Sequence, residues 1–598
     1  MKSLIRVFLI AFAVMIASRA TAADGIELRY LGQGHSILTP KSGERYIMLP
    51  VQESCAESRI VIYNNNNVKE TIFVRLANDK VDYSVPYEVK AGDALYIHTP
   101  TGGESESLHK TGETAVWAKQ VRMADSYDFA EEPYRPAYHF APSYGWMNDP
   151  NGMFYKDGVY HLYYQYNPYA SVWGNMSWGH ATSTDLVHWK HEPVAVTPDA
   201  LGTIFSGSAV VDADNTSGFG AGTVVAFYTS ASERQMQSMA YSTDGGKTFT
   251  KYAGNPIVTS HVPDFRDPKV IWHEPTRRWV MVLAAGQQMQ FYSSADLKSW
   301  TYESAFGLEV GCHAGVWECP DLFELPVEGT DQSRWVLICN INPGGPAGGS
   351  ATQYFVGTFD GHRFVVDEPC ATKWMDWGRD HYATVTWSNA PDDRRIAIAW
   401  MSNWQYAAVV PTRAFRSANS IPRDLSLYSY NGDIYLKSAP VSEVEALRVP
   451  VLTKSKMSLK PTPRSIALPA GLNGVFAVEM EIANPAHGDV VVTLANAKGE
   501  KVDMTYNGKT FAFDRSKSGL TDFNAEFAST TKCDVMSESS TMKLTLYVDR
   551  SSIEAFGDGG RFVQTNLVFP TVPYNKIEVS ANAKKAKINN FKVYKLSL

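Results

Sequence analysis

The stretch Gly-Trp-Met-Asn-Asp-Pro-Asn-Gly, residues 145–152, decides the fold because four related motifs follow it at regular intervals. Each motif centres on a polar residue that opens a hydrophobic segment, and successive polar residues are 51 to 62 positions apart. The later motifs are Phe-Ser-Gly-Ser (205–208), Phe-Arg-Asp-Pro-Lys (265–269), Trp-Glu-Cys-Pro-Asp (317–321) and Gly-Arg-Asp-His-Tyr (378–382). A period near about 50 residues is typical of arrays of β-units, so the sequence predicts a five-bladed β-propeller.

The polar residues at the centres of the motifs are predicted to meet at one end of the propeller axis. They are Asp149, Ser206, Asp267, Glu318 and Asp380. Each is followed by an aromatic or β-branched run that is typical of a second strand, such as Gly158–Gln165 and Ile396–Met401. If every motif opens the innermost strand of its blade, carboxylates far apart in sequence share one funnel. Paired carboxylates in a funnel are what glycoside hydrolysis requires.

Length, composition and charge exclude several classes of protein. At 598 residues the chain is too long for one core and should fold as roughly two to four domains. The formal net charge of −7, without any basic run, argues against a nucleic-acid partner. Aromatic residues make up 12% of the chain, as expected for β-proteins and for proteins that stack on sugar rings.

The first 22 residues have the pattern of an export signal. Lys2 and Arg6 precede the apolar stretch 7–17, and Ala20-Thr21-Ala22 resembles a cleavage site. No Cys follows that site, so a lipid anchor is not expected. No later apolar run approaches the roughly 20 residues that span a bilayer. We therefore expect an exported, soluble protein, periplasmic or secreted, that does not insert into a membrane.

The chain contains six cysteines, which is few for an exported protein of this length. Their pairing cannot be deduced from spacing, and we interpret them as free buried thiols. No cluster of His, Cys and Asp has the spacing of metal ligands, so neither a metal nor another cofactor is expected.

Changes of pattern divide the mature chain into three β-rich regions, so the predicted fold class is all-β. Residues 23–128 hold short strands between Gly, Pro and Asn turns, which predicts an extra N-terminal module that is sandwich-like. A charged, Pro-containing linker then leads into the propeller, residues 137–440. Residues 446–598 alternate apolar and polar positions, as in Lys543–Asp549, and this alternation predicts a C-terminal β-sandwich.

The ordered set of motifs resembles glycoside hydrolase family 32, the fructan-cleaving enzymes that include invertases, inulinases and levanases. The block from His139 to Gly152 resembles the first signature of that family. The next matches, in order, are Phe-Ser-Gly (205–207), Arg-Asp-Pro (266–268) and Glu-Cys-Pro (318–320), and Trp-Gly-His (178–180) also fits. Val548–Phe556 resembles a motif of the second domain, in which Asp549 and Glu554 are interpreted as structural. The similarity covers about residues 137–598 and leaves residues 23–128 outside.

The resemblance implies a five-bladed propeller followed by a β-sandwich, and hydrolysis with retention through a covalent fructosyl–enzyme intermediate. It implies that Asp149 is the nucleophile that attacks the anomeric carbon. Glu318 is the implied acid/base that protonates the leaving oxygen. Asp267 would accept hydrogen bonds from fructose hydroxyls as positive charge develops on the ring, and Arg266 would balance the local negative charge.

Further positions resemble substrate-binding residues of the same family. The predicted set is Asn148, Gln165, Trp173, Phe205, Ser206, Arg266, Asp380 and Trp404. Two interpretations stay open for Asp380 and its neighbour Tyr382, which either line the fructose pocket or end a strand. Cys319 is either a small core residue or a group that tunes Glu318.

The function predicted from these residues is a retaining glycosidase that releases fructose from levan, inulin and fructo-oligosaccharides, with sucrose as a further candidate substrate. A pocket that contacts most hydroxyls of one terminal fructose favours exo-action. The alternatives are an endo-acting levanase or inulinase, a fructosyltransferase, and a non-catalytic fructan-binding protein. The last is disfavoured because all three carboxylates are present. Linkage preference and oligomeric state are left open.

Overall fold

The computed structural model describes residues 19–20, 25–100, 115–129, 131–368, 370–537 and 539–598. The predicted export signal, residues 1–22, lies outside these ranges apart from Arg19 and Ala20. The chain divides into two compact units, Met1–Ala130 with Asn167–Asn175, and Glu131–Tyr166 with Met176–Leu598. Strands dominate both units, so the all-β prediction is confirmed. Within the described ranges, no helix has the length and apolar character needed to cross a membrane.

The N-terminal unit is built from two antiparallel sheets and one short helix in its described residues. Its elements are β1 (Arg19–Ala20), β2 (Ile26–Gly32), β3 (His35–Pro40), β4 (Tyr46–Val51), β5 (Ser58–Asn64), β6 (Asn67–Val74), β7 (Tyr83–Glu88), β8 (Asp93–His98), α1 (Val116–Gln120) and β9 (Arg122–Ala124). The sheet orders are β1-β2-β3-β8-β5-β6 and β7-β4-β9. In β8, Leu95 and Ile97 are buried and alternate with partly exposed residues, the period expected for a strand with one face on a core.

The described residues 145–440 of the second unit form five sheets in succession. The first contains β10 (Gly145–Lys156), β11 (Val159–Asn167), β12 (Ser177–Ser183) and β13 (Lys190–Val196). The second contains β14 (Thr203–Asp212), β15 (Thr223–Ala231), β16 (Gln235–Ser242), β17 (Thr250–Lys251) and β18 (Val258–Thr259), and the third contains β19 (Phe265–His273), β20 (Arg278–Ala285), β21 (Met289–Ser294) and β22 (Thr301–Phe306). The fourth contains β23 (Val316–Pro326), β24 (Ser333–Asn342), β25 (Ala351–Phe359), β26 (Phe364–Val366) and β27 (Lys373–Trp374). The fifth contains β28 (Tyr382–Thr386), β29 (Ile396–Trp400), β31 (Arg423–Tyr430) and β32 (Asp433–Pro440), while β30 (Phe415–Arg416) pairs with β10. Short 3₁₀ turns lie at Glu274–Thr276, Pro391–Asp393 and Ala407–Val409.

The first strands of these five sheets contact one another in a closed ring. Each strand contacts the next, in the order β10, β14, β19, β23 and β28, and β28 contacts β10. Within each sheet the strands that follow the first one are joined in antiparallel pairs, whereas β30 pairs with β10 in parallel. Because every sequence motif lies at or beside the start of a first strand, the ring brings the motifs close together.

The remaining residues form a helix and two six-stranded antiparallel sheets in the described part of the chain. They are α2 (Ser442–Ala446), β33 (Arg448–Ser458), β34 (Arg464–Ala467), β35 (Phe476–Ala483), β36 (Val490–Ala495), β37 (Lys501–Tyr506), β38 (Thr510–Lys517), β39 (Thr530–Asp534), β40 (Thr541–Asp549), β41 (Ser552–Gly557), β42 (Phe562–Leu567), β43 (Lys576–Ala581) and β44 (Lys587–Leu596). The sheet orders are β33-β44-β35-β40-β41-β42 and β34-β43-β36-β37-β38-β39. One apolar cluster, which includes Phe476, Leu546 and Phe513, joins the two sheets.

A buried network of charged residues joins these two sheets to the five that precede them. His139 Nδ1 is 2.8 Å from Asp549, and His139 Nε2 is 2.9 Å from Glu554. Arg423 binds Glu554 and also Asp376, at 3.0 Å. Burial alone would lower the pKa of His139, but its hydrogen bonds to Asp549 and Glu554 raise that pKa to about 9. His139 is therefore a cation at neutral pH, and Asp549 and Glu554 have the structural setting predicted for them.

Candidate active site

Asp149 lies in the first half of β10 and accepts hydrogen bonds from three side chains. Ser206 Oγ donates to Oδ2 at 2.6 Å, and Asn148 Nδ2 donates to Oδ1 at 3.0 Å. Cys319 Sγ is 3.4 Å from Oδ2. Trp146 Nε1 donates to Asn148 Oδ1 at 2.8 Å, so the amide of Asn148 turns its nitrogen toward the carboxylate. These donors favour the ionised form of Asp149, which is the form that a nucleophile needs.

Asp267, in β19, lies close to Asp149 because both carboxylates contact Cys319. The backbone N–H of Cys319 donates to Asp267 Oδ2 at 2.9 Å, and the thiol is 3.6 Å from the same oxygen. The Asp267 N–H itself donates to Thr229 Oγ1 at 3.0 Å. Cys319 is thus buried, as a small core residue would be, and it contacts Asp149 and Asp267; a role of Cys319 in tuning Glu318 stays a prediction.

Glu318, in β23, is held by a guanidinium and a phenol. Arg266 donates to Oε1 through Nη2 at 2.8 Å and through Nε at 3.2 Å. The Tyr382 hydroxyl donates to Oε2. Arg266 Nε is also 3.9 Å from Asp267 Oδ2. One guanidinium therefore lies against two carboxylates, and the structure brings Tyr382 into the site.

The site residues lie where the first strands break register with their neighbours. Shifts occur between Ile204 and Gly207, Arg266 and Lys269, Glu318 and Asp321, and Tyr382 and Val385. Asp267 and Cys319 have positive φ values of 65° and 42°. Such bulges bend a strand and re-aim its side chains, which is common beside active sites.

Proline marks two of these four bulges in the sequence. Pro268 follows Asp267 and Pro320 follows Cys319, and Pro150 stands at the matching place after Asp149. Because proline has no N–H for a ladder hydrogen bond, it is confined in sheets to edges, strand starts and bulges. The Asp-Pro and Cys-Pro pairs are therefore a sequence signal for the irregular geometry of the site.

Burial raises the pKa of both aspartates. Desolvation raises the pKa of Asp267 to about 7, with Arg266 opposing the shift and the charges of Glu318 and Asp149 adding to it. Desolvation and then the charge of Glu318 raise the pKa of Asp149, while hydrogen bonds from Ser206, Asn148 and Cys319 lower it. Because neighbouring carboxylates contribute to both shifts, the pKa of each aspartate depends on the charge of the carboxyl groups around it.

We expect Ser206→Ala to move the acidic limb of the pH profile of kcat/KM to higher pH. The Ser206 hydrogen bond lowers the pKa of Asp149, so its loss raises that pKa, and the nucleophile is then protonated over a wider acidic range. The measurement is the pH dependence of kcat/KM for both enzymes. Ser230→Ala is the control, because it removes a buried hydroxyl whose oxygen lies 2.8 Å from Ser238 Oγ. An unshifted limb in Ser206→Ala would contradict the assignment of Ser206.

Three further predicted residues pack directly around these groups. Gln165 Nε2 donates to the carbonyl of Ile204 at 3.0 Å, and Trp178 Nε1 donates to the carbonyl of Phe205 at 3.0 Å. These bonds fix the backbone that carries Ser206. Trp404 stacks on Trp146, with ring centroids 5.8 Å apart. Gln165, Phe205 and Trp404 are thereby connected to the surroundings of Asp149.

Asp380 is not brought into the carboxylate cluster. Its side chain is buried, and it accepts hydrogen bonds from Tyr406 Oη at 2.6 Å and from the Leu567 N–H at 2.8 Å. Arg515 forms an ion pair with the same carboxylate. Both carboxylate oxygens therefore bind residues of β38, β42 and the loop after β29. These contacts are structural, and they replace the contact with sugar that the sequence predicted.

Trp173 is the one predicted residue that belongs to the N-terminal unit, through the segment Asn167–Asn175.

Two further residues support the site but are not in the predicted set. Trp146 orients Asn148, and Asp264 accepts a hydrogen bond from Arg266 Nη1 at 2.5 Å. Trp146 belongs to the first motif and Asp264 directly precedes the third, and this position was the available signal. All six cysteines, each in the described part of the chain, are free thiols; four are buried as predicted, whereas Cys312 and Cys370 are partly exposed. Among the described residues, no group of three or more His, Cys, Asp or Glu side chains is arranged to hold a metal ion.

Three consecutive stretches of the chain match known protein domains. Residues 139–440 match the N-terminal domain of glycosyl hydrolases family 32, and residues 443–595 match the C-terminal domain of that family. Residues 32–138 match a domain of unknown function, DUF4980.

Individual relatives agree with the family match. Levanase from Bacillus subtilis (strain 168) is 45% identical over 491 residues, which are 79% of this chain and 72% of that protein. Extracellular exo-inulinase inuE from Aspergillus niger is 38% identical over 500 residues, 75% of this chain and 92% of that protein. The crystal structure of exo-inulinase from Aspergillus awamori has a TM-score of 0.73 at 35% identity and covers 78% of this chain and 99% of that one. On these matches, and with residues of the first four motifs gathered in one site, the chain belongs to glycosyl hydrolases family 32.

Proposed function

We propose that this protein is an exo-acting β-fructosidase that hydrolyses levan, inulin and fructo-oligosaccharides, with sucrose as a further candidate substrate. The observation that carries the proposal is the convergence of Asp149, Asp267 and Glu318 around Cys319 and Arg266. Relatives named levanase and exo-inulinase support the same substrate class. A signal at residues 1–22 would place the enzyme outside the cytoplasm, and the extracellular location in the name of the Aspergillus relative supports this.

In the proposed first step, the Asp149 carboxylate attacks the anomeric carbon of the terminal fructose. Glu318 gives its proton to the leaving oxygen, and the bond between that oxygen and the anomeric carbon breaks. Asp267 accepts hydrogen bonds from the ring hydroxyls, while Arg266 stays between Asp267 and Glu318 and limits the repulsion between them. The product of this step is a fructosyl ester of Asp149.

In the proposed second step, the ionised Glu318 takes a proton from a water molecule that attacks the same carbon. The ester bond breaks, fructose leaves, and both carboxyl groups return to their starting states. Tyr382 supports this step because its hydroxyl contacts Glu318 Oε2 and can keep the carboxyl group oriented as its charge changes. Two displacements retain the configuration at the anomeric carbon.

We propose that the five sheets are the blades of a propeller spanning residues 137–440, followed by a β-sandwich at residues 446–598. The closed ring of β10, β14, β19, β23 and β28 supports this architecture, because innermost strands of neighbouring blades are adjacent in a propeller. Residues 23–128 form a separate N-terminal module. Asn148, Gln165, Trp173, Phe205, Ser206, Arg266 and Trp404 are proposed to bind substrate, and Asp380 is left out because its oxygens are engaged elsewhere.

The decisive experiment is chromatography of the products formed from levan, inulin and sucrose over time. If the pocket closes around one terminal fructose, we expect fructose as the dominant product from the earliest samples, while the viscosity of the polymer falls slowly. Early oligosaccharides with little fructose would show an endo-acting cleft. New, longer fructosides at high sucrose concentration would show a transferase, and binding without turnover would show a non-catalytic protein.

A further inference from the structure

The segment Asn167–Asn175, here called the Trp173 loop, leaves β11 and returns to β12 of the first sheet, yet it belongs to the same compact unit as the N-terminal sheets. Its base is closed by Asn167. Asn167 Nδ2 donates to the Val172 carbonyl at 2.8 Å, and Asn175 Nδ2 donates to Asn167 Oδ1 at 3.1 Å. A nine-residue loop with joined ends and internal hydrogen bonds is a compact surface loop of the Ω type.

The middle of the Trp173 loop is fastened to the smaller N-terminal sheet. Ser171 is fully buried, and its N–H donates to Tyr83 Oη at 2.8 Å. Tyr83 Oη and Ser171 Oγ are 2.9 Å apart, and Ser171 Oγ donates to Glu53. Tyr83 is in β7, and Glu53 follows β4. Ser171 is therefore held through both its backbone and its side chain.

The end of the Trp173 loop is fastened to the larger N-terminal sheet. Asn175 Oδ1 accepts from the Phe73 N–H at 2.8 Å, and Asn175 Nδ2 donates to the Phe73 carbonyl at 2.9 Å. Phe73 lies in β6, an edge strand. The amide thus pairs with the backbone as a neighbouring strand would. Asn175 has φ of 46°, a left-handed conformation that Asn adopts more readily than most residues.

Trp173 lies between these two attachment points and is 47% exposed. A half-exposed indole on a backbone held on both sides suits stacking on the apolar face of a sugar ring. A loop already fixed in its binding conformation loses less conformational entropy when the ligand binds. We propose that the N-terminal module is a positioning device that holds the Trp173 loop ready for the fructan substrate, with Ser171, Tyr83 and Asn175 as the positioning residues. This inference rests on the proposed substrate-binding role of Trp173.

The test compares Tyr83→Phe and Asn175→Asp in the full-length chain. Tyr83→Phe removes the hydroxyl that binds Ser171, and Asn175→Asp keeps the side-chain size but turns a carboxylate oxygen toward the Phe73 carbonyl. We expect KM for levan or inulin oligosaccharides to rise about three- to tenfold with kcat nearly unchanged. Tyr96→Phe is the matched control, because its hydroxyl bonds His35 at 3.1 Å within the module and should leave KM unaltered.

A double-mutant cycle with Trp173→Ala separates positioning from mere support of the fold. If the contacts act through Trp173, Tyr83→Phe should raise KM in the wild-type background but add little in the Trp173→Ala background. An equal rise in both backgrounds, or a lower Tm with an unchanged KM, would overturn the inference. A wild-type enzyme that does not turn over any fructan would instead refute the proposed function itself.

Discussion

Asp149→Asn should fold normally and lose at least about 10³-fold in kcat, because the amide cannot form the covalent intermediate. A loss of this size corresponds to about 4 kcal/mol of transition-state stabilisation. The fold should persist because Asn has the size of Asp, and its one side-chain oxygen can still accept from either Ser206 or Asn148, which bind separate carboxylate oxygens at 2.6 and 3.0 Å. The measurement is kcat on levan, inulin and sucrose, together with circular dichroism and Tm.

Asp157→Asn is the matched control for this substitution. Asp157 directly follows β10, is 81% exposed at its side chain and has φ of 52°, a conformation that Asn also adopts. The control should retain wild-type kcat and Tm. If Asp149→Asn kept activity within about tenfold of the wild type, Asp149 would not be the nucleophile.

Glu318→Gln should lose activity in proportion to how much the leaving group needs a proton. On levan or sucrose, whose leaving alkoxides are poor, we expect a fall in kcat/KM of about 10²- to 10⁴-fold. A fructoside with a good leaving group should retain most of its first-step rate. Gln keeps the contacts with Arg266 and Tyr382 close to their original geometry. The substitution therefore removes the acidic proton of Glu318 and leaves the packing of the side chain unchanged.

Azide provides the second half of the Glu318 experiment, because it attacks the fructosyl intermediate without needing a base. With the activated substrate, added azide should accelerate turnover of Glu318→Gln and yield fructosyl azide of retained configuration. Glu324→Gln, a change at an exposed position of the same strand, is the control and should show neither effect. Equal losses on both substrates without rescue by azide would remove Glu318 from the acid/base role.

Local sequence patterns predicted much of the fold because the interactions behind them are local. Alternating burial in strands such as β8, and the turn at Asn65 and Asn66, where φ is 48° and 67°, follow from side-chain period and turn chemistry. The spacing of the motifs also predicted five successive sheets, because each sheet uses a similar length of chain.

The position of Asp380 could not be predicted from its motif. The partner that holds it, Arg515, is 135 residues away in sequence, and the Leu567 N–H is 187 residues away. Neither residue can be inferred from the sequence pattern around Asp380. The attachment of the Trp173 loop to the N-terminal unit is hidden for the same reason, since Ser171 and Tyr83 are 88 residues apart. Contacts of this kind are decided by tertiary packing, which a single sequence records only indirectly.

The buried network around His139 also bears on how this gene can be rearranged. A cut near residue 441 would leave Arg423 and His139 on one fragment and Glu554 and Asp549 on the other. Stranding one partner of a buried ion pair costs about 3 to 5 kcal/mol, a large part of the stability of a typical domain. Recombination at this boundary should therefore lower the folding stability of both resulting proteins. We therefore expect the segments before and after residue 441 to be inherited together. Insertions and fusions should be tolerated outside these two segments rather than between them.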